Sequence, residues 1–163
     1  MGAKRLHRAH PTMLSPQKGP FPADLHQALE DARQLYVATE RKDGSVSAVA
    51  PVWFMYDGSA VHFTTAPGSW KAKRAARGGT LHVWVGRKDG PYWTGVMTLQ
   101  HDPALADRMR PVYRKRYWLA WLGLVCPSGA RVRAGKSLIV SVTPLPSSPA
   151  LIPLARAPER PFP

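Results

Sequence analysis

Within ten residues, the segment Thr64-Thr65-Ala66-Pro67-Gly68-Ser69-Trp70-Lys71-Ala72-Lys73 gathers hydroxyls, a Gly-Ser entry and two lysines. If Ser69 caps a helix running to Arg77, which Gly78-Gly79 would end, both lysines fall near its N-terminus. Unpaired N–H groups and partial positive charge collect there, so lysines are misplaced unless an anion joins them. Phosphate is the anion that such an end best accepts. Ser69 offers a hydroxyl and an N–H, Lys71 a charge-assisted bond, Lys73 a second cation, and Thr64 or Thr65 a further hydroxyl. A plain Ser cap with solvated lysines uses the same residues, and the pattern leaves both readings open. Other chemistries find less support. Asp43, Asp57 and Asp89 read as turn residues, which leaves no paired carboxylates, and no Ser-His-Asp order stands out. Cys126 reads as an apolar filler, His62 and His82 as barrel-wall residues, and His7 and His10 lack the partners of a metal site. No catalytic side chain and no metal ligand is named.

The segment must be held by strands. Leu35–Thr39 is rich in strand formers, and Arg41-Lys42-Asp43-Gly44 turns the chain into a second strand, Val46–Tyr56. Asp57-Gly58 turns it again into a third, Ala60–Thr65, so the expectation is an antiparallel meander closed by the helix. The run Ala48–Met55 is apolar without alternation and so needs cover on both faces, one of them from a partner subunit. Pro51 within it implies a bulge or an unpaired edge. Leu81–Val85 and Tyr92–Leu99 flank a second Arg-Lys-Asp-Gly, and Leu138–Val142 is the last strand. Leu25, Ala28, Leu29 and Ala32 stripe a short helix capped at or near Asp24. Another opens at Asp102 or Pro103, with Leu105, Met109 and Val112 on its apolar side. About six strands in hairpin order with flanking helices make a small α+β barrel.

The bulk properties place this barrel in one domain at 23–143. Residues 1–22 carry Lys4, Arg5, Arg8 and Lys18 with no acid and read as a disordered basic lead-in; 144–163 hold seven of the 17 prolines and read as an extended arm. A net charge of +13 favours anionic partners or simply solubility, without choosing. Trp118, Trp121 and Tyr117 beside Arg114–Arg116 could stack on nucleic acid, but such clusters more often serve as core or dimer contact, and no nucleic-acid module is recognisable. A single cysteine and the lack of a secretion signal or membrane span point to the cytoplasm.

In order, the segments Tyr-Val-Ala-Thr, Asp-Gly, Pro-Val-Trp-Phe, Tyr-Asp-Gly, Phe-Thr-Thr and Gly-Ser-Trp-Lys-Ala-Lys-Arg resemble the pyridoxamine 5′-phosphate oxidase-like flavin-binding split-barrel superfamily, well over about 50 residues and loosely over about 110. The resemblance implies a mainly antiparallel, six-stranded split β-barrel, homodimeric, with cofactor sites at the interface. It also implies an oxidoreductase passing hydride between FMN and a small molecule, the flavin phosphate held by Thr64, Thr65, Ser69, Lys71 and Lys73, and the ring lying against Pro51, Val52 and Trp53. Relatives using a deazaflavin coenzyme make a deazaflavin-dependent reductase the first alternative. A non-enzymatic flavin or haem binding or sensing protein is the next, and a basic nucleic-acid-binding domain the last. The substrate-phosphate residues and longer C-terminal segment of the vitamin B6 oxidase are not found here, which argues against that substrate.

Overall fold

The structure is a computed structural model and describes residues 20–122 and 126–145. The basic lead-in as far as residue 19 and the proline arm from residue 146 lie outside the described residues. Phe21, expected in the lead-in, is core: it is 2% exposed and meets Tyr56 and Trp93 edge-on, with ring centres 5.4 and 4.9 Å away. The helix that follows, α1 (Ala23–Asp31), buries Leu25 and Leu29 in the same core; Asp24 lies in its first turn but no side chain caps it.

Seven strands form one antiparallel sheet: β1 (Leu35–Thr39), β2 (Ala50–Val52), β3 (Met55–Tyr56), β4 (Val61–Thr65), β5 (Thr80–Val85), β6 (Tyr92–Gln100) and β7 (Leu138–Pro144). Their order across the sheet is β2-β1-β5-β6-β7-β4-β3. The expected second strand is therefore two strands, and the expected meander is broken. β2 pairs with β1 at one edge, Val37 opposite Ala50, while β3 pairs with β4 at the other, Met55 opposite His62. Only Trp53 and Phe54 separate them. The step from Val52 to Met55 reaches roughly 10 Å at full extension. Opposite edges of a seven-stranded sheet can lie that close only if the sheet curls round on itself.

The curl leaves one cluster inside, built from alternate positions such as Val37, Phe63, Val83, Met97 and Val140. A second cluster lies outside β4 and β7, under α3 (Pro103–Arg116), α4 (Trp118–Trp121) and α5 (Gly129–Arg133). α3 starts as expected: the Asp102 carboxylate accepts from the Ala104 N–H at 2.8 Å, and Pro103 occupies the first turn. The expected aromatic segment at 117 becomes α4, and α5 is a helix that the sequence pattern did not announce. The two Arg-Lys-Asp-Gly turns also differ. Gly44 takes φ +78° in the first; in the second Gly86 takes φ +75°, and Gly90 packs so tightly on the Val85 carbonyl that no Cβ would fit.

Tyrosines from the outer helices hold the link between the edges. The Tyr113 hydroxyl donates to the Trp53 carbonyl at 2.7 Å. The Tyr117 hydroxyl accepts from the Phe54 N–H at 3.1 Å and donates to its carbonyl at 3.3 Å, while its ring stacks on Trp53 with centres 4.4 Å apart. Strand-break backbone groups need such partners when buried. Burial raises both phenols, Tyr113 well above the ordinary value, so both keep the proton they donate. Tyr117→Phe strips the buried Phe54 N–H and carbonyl of this partner. We expect a loss of about 1–3 kcal/mol in urea unfolding; an unchanged midpoint would refute the role given to this hydroxyl.

Candidate functional site

Between β4 and β5 the chain forms α2 (Trp70–Ala75), which carries residues from the β4 end of the sheet to the β1 end. Ser69 is its N-cap: the side chain accepts from the Ala72 N–H at 3.1 Å and shares a 2.8 Å bond with Thr65 Oγ1. Six residues sum few peptide dipoles, so the helix end alone is a weak anion site. Side-chain charge supplies more. At the far end of α2, Arg74 Nη1 donates to Thr39 Oγ1, and the Thr39 N–H donates to Ser47 Oγ at 3.0 Å.

A cleft of about 790 Å³ opens between this helix and the β1–β2 hairpin. Val37 and Thr39 line it from β1, Arg41, Lys42, Asp43, Ser47 and Ala48 from the hairpin, and Trp70, Lys71, Arg74 and Arg77 from α2 and its exit. Five cations thus face one carboxylate. Asp43 is already engaged: bonds from the Ser45 hydroxyl and N–H hold its carboxyl below the ordinary range. Arg41 donates to Ser45 Oγ and to the Val46 carbonyl, both at 3.0 Å. Like charges gathered around one cleft repel, and an anion in it relieves that cost.

Of the expected cofactor residues, the structure brings Thr65 and Ser69 into contact and sets Lys71 in the cleft wall. Strand alternation separates the others. Thr64 pairs with Ile139 and faces the outer cluster, whereas Thr65 shares its face with the interior residue Phe63. Pro51 pairs with Tyr36, on the face opposite Val37 and the cleft floor, while Val52 pairs with Leu35 and packs on the core. Trp53 lies on Tyr117 in the edge-to-edge link. Lys73 points its ammonium at the Trp70 ring, 4.8 Å from the centre. Arg41, Lys42, Arg74 and Arg77 were not singled out from sequence. Arg41 and Lys42 are distant in the chain and meet the helix through the pairing of β1 with β5, which follows α2, but Arg74 and Arg77 recur at helical spacing after Trp70 and Lys71 and could have been read.

The structure also shows an arrangement that the sequence hid. His62 lies between Ser141 Oγ, 2.8 Å from Nδ1, and Asp57 Oδ2, 2.8 Å from Nε2. It is not a nucleophile triad. Ser141 is buried in mid-strand, paired on one side with His62 and on the other with Thr98, so its backbone belongs to the ladder and forms no oxyanion hole. With both ring nitrogens engaged, His62 offers no lone pair to a haem iron. His82 pairs with Ala38, on the sheet face opposite Val37 and Thr39, so it does not enter the cleft either.

No family model and no curated protein sequence matches the chain. Solved structures do. A candidate pyridoxamine 5′-phosphate oxidase from Listeria innocua superposes with TM-score 0.56 at 15% identity, covering 78% of this chain and 95% of that one. An F420 reductase gives TM-score 0.52 at 21% identity, with 77% and 96% covered. An FAD and haem binding protein from Mycobacterium smegmatis gives 0.55 at 15%, with 77% and 68% covered. The chain carries the α+β split-barrel fold of the pyridoxamine 5′-phosphate oxidase-like proteins, here with seven strands.

The Asp57–His62 contact has a pH signature. Burial opposes ionisation of Asp57, but bonds from His62, Ser59 and Ala60 outweigh it and hold the carboxyl well below its ordinary 3.8. A carboxyl lowered by folding contributes stability above its unfolded value and loses that contribution as pH falls through the folded one. Asp57→Asn should therefore be less stable than wild type at neutral pH, with the gap narrowing as pH drops below 3.8. Urea unfolding across that range checks it; a constant gap would contradict the pairing.

Proposed function

We propose that the chain is a homodimeric flavin-dependent oxidoreductase whose basic cleft holds the flavin phosphate. The observation that carries this reading is the cleft itself, with five cations facing one engaged carboxylate; the Thr65–Ser69 hydroxyl pair lies outside its lining, at the N-terminus of the helix that forms one wall. The donor set fits a phosphate monoester. Thr65 and Ser69 have two hydroxyl hydrogens between them, one used in their mutual bond and one left for a phosphate oxygen. Lys71 and Arg74 line the cleft as charged donors, and the Thr39 contact fixes Arg74 in place. A bound flavin supplies hydride transfer to or from a small molecule; the protein binds, orients and shields it. FMN is the minimal form that satisfies these donors.

The number of cations also supports a second reading. One phosphate needs two or three of them, and Arg41, Lys42 and Arg77 would suit the polyanionic tail of a deazaflavin coenzyme. The exposed apolar residues Ala48, Val49 and Pro51 at the β2 edge support the dimer, since a second copy would cover them. No helix among the described residues is long and apolar enough to cross a membrane, and the single Cys126 suits a reducing cytoplasm.

Lys71→Ala should raise the Kd for FMN about 10–100-fold, the worth of one charge-assisted bond. Flavin fluorescence titration measures it, and an unchanged affinity would count against the phosphate site. The absorption spectrum of the loaded protein separates FMN from deazaflavin. Sedimentation of the loaded protein should give a dimer, and a loaded monomer would overturn the interface.

A further inference from the structure

Trp70 stands out on the cleft wall. Its side chain is 69% exposed although it is large and apolar. It lies between Ser69, the phosphate-side cap, and Lys71, the charged donor. Lys73 Nζ lies 4.8 Å and Arg74 Cζ 5.7 Å from the ring centre, so two cations three and four residues on brace the indole on the helix. Arg74 is itself anchored on Thr39, which limits how far the cluster can shift. The result is a flat aromatic surface, held by cations, at the edge of a phosphate-binding cleft.

FMN ends at its phosphate and carries no second ring to cover that surface. An adenine nucleotide carries one, joined through the same phosphates that Lys71 and Arg74 would bind. We propose that Trp70 is a stacking platform for the adenine ring of a nucleotide bound in the cleft, so that the site takes FAD in preference to FMN. The proposal rests on the flavin reading above and extends it to the part of the ligand beyond the phosphate. Stacking of one base on an aromatic side chain is worth roughly five- to 150-fold in affinity.

Titrations of FMN, FAD and AMP into wild type, Trp70→Leu and Trp70→Phe test it, read by flavin fluorescence and by calorimetry. FAD should bind wild type about tenfold more tightly than FMN. Trp70→Leu should remove that advantage, bringing the FAD and FMN affinities to within about threefold of each other, and Trp70→Phe should keep most of it. Equal affinities in wild type, or an FAD advantage that survives Trp70→Leu, would overturn the platform. If neither flavin binds, the flavin reading falls and AMP decides the ring site alone. AMP binding that weakens in Trp70→Leu upholds the platform; no AMP binding overturns it.

Discussion

Two residues joining opposite edges of one sheet set the shape of this protein. Trp53 and Phe54 are all that lies between β2 and β3, and the strand order puts the whole sheet between those strands. A link that short allows only a curled sheet, and the curl creates both the closed interior and the outer face on which the second cluster packs. Its cost falls on the backbone groups of the link, which have no ladder partner. Tyr113 and Tyr117 meet that cost with hydroxyls, and Trp53 adds its ring to the stack. The helices after β6 therefore do more than cover a face; they fasten the seam.

The cleft depends on the pairing of β1 with β5, which sets the β1–β2 hairpin beside the exit of α2. Residues at the β4 end and at the β1–β2 hairpin lie far apart in the strand order, and α2 crosses between them. One end of the helix is tied to Thr65 through Ser69, the other to Thr39 through Arg74. Between these ties its cations face those of the hairpin. The local dipole of a six-residue helix attracts an anion only weakly, and the accumulated side-chain charge outweighs it. The attraction for an anion therefore rests on the cleft wall more than on the helix end.

Much of the local structure was legible. Asp-Gly and Gly positions marked turns, the Ser69 and Asp102 caps lie where hydroxyl and carboxylate side chains can take an N-terminal N–H, and the short apolar runs became strands. One reading failed because contacts distant in the chain decided it. The run Val46–Tyr56 has strand-forming residues throughout, and nothing in its pattern marks Trp53–Phe54 as a crossing, because the groups that make the crossing tolerable come from Tyr113 and Tyr117, about 60 residues later. The second Arg-Lys-Asp-Gly repeats the letters of the first, but its left-handed residue is the preceding Gly86, whose N–H donates to the Gln34 carbonyl at 3.0 Å.

The sequence by itself determined the local conformations: which stretches extend, where they turn, where Ser69 caps α2, and that lysines follow it. These depend on interactions within a few residues, which chain order displays. Tertiary structure decided which face each side chain meets and which distant residues share a cleft. It divided Thr64 from Thr65, turned Pro51 away from the cleft floor, and set Arg41 and Lys42 opposite Lys71 and Arg74. Pairing register and curl are properties of the closed sheet as a whole, so no single segment encodes them.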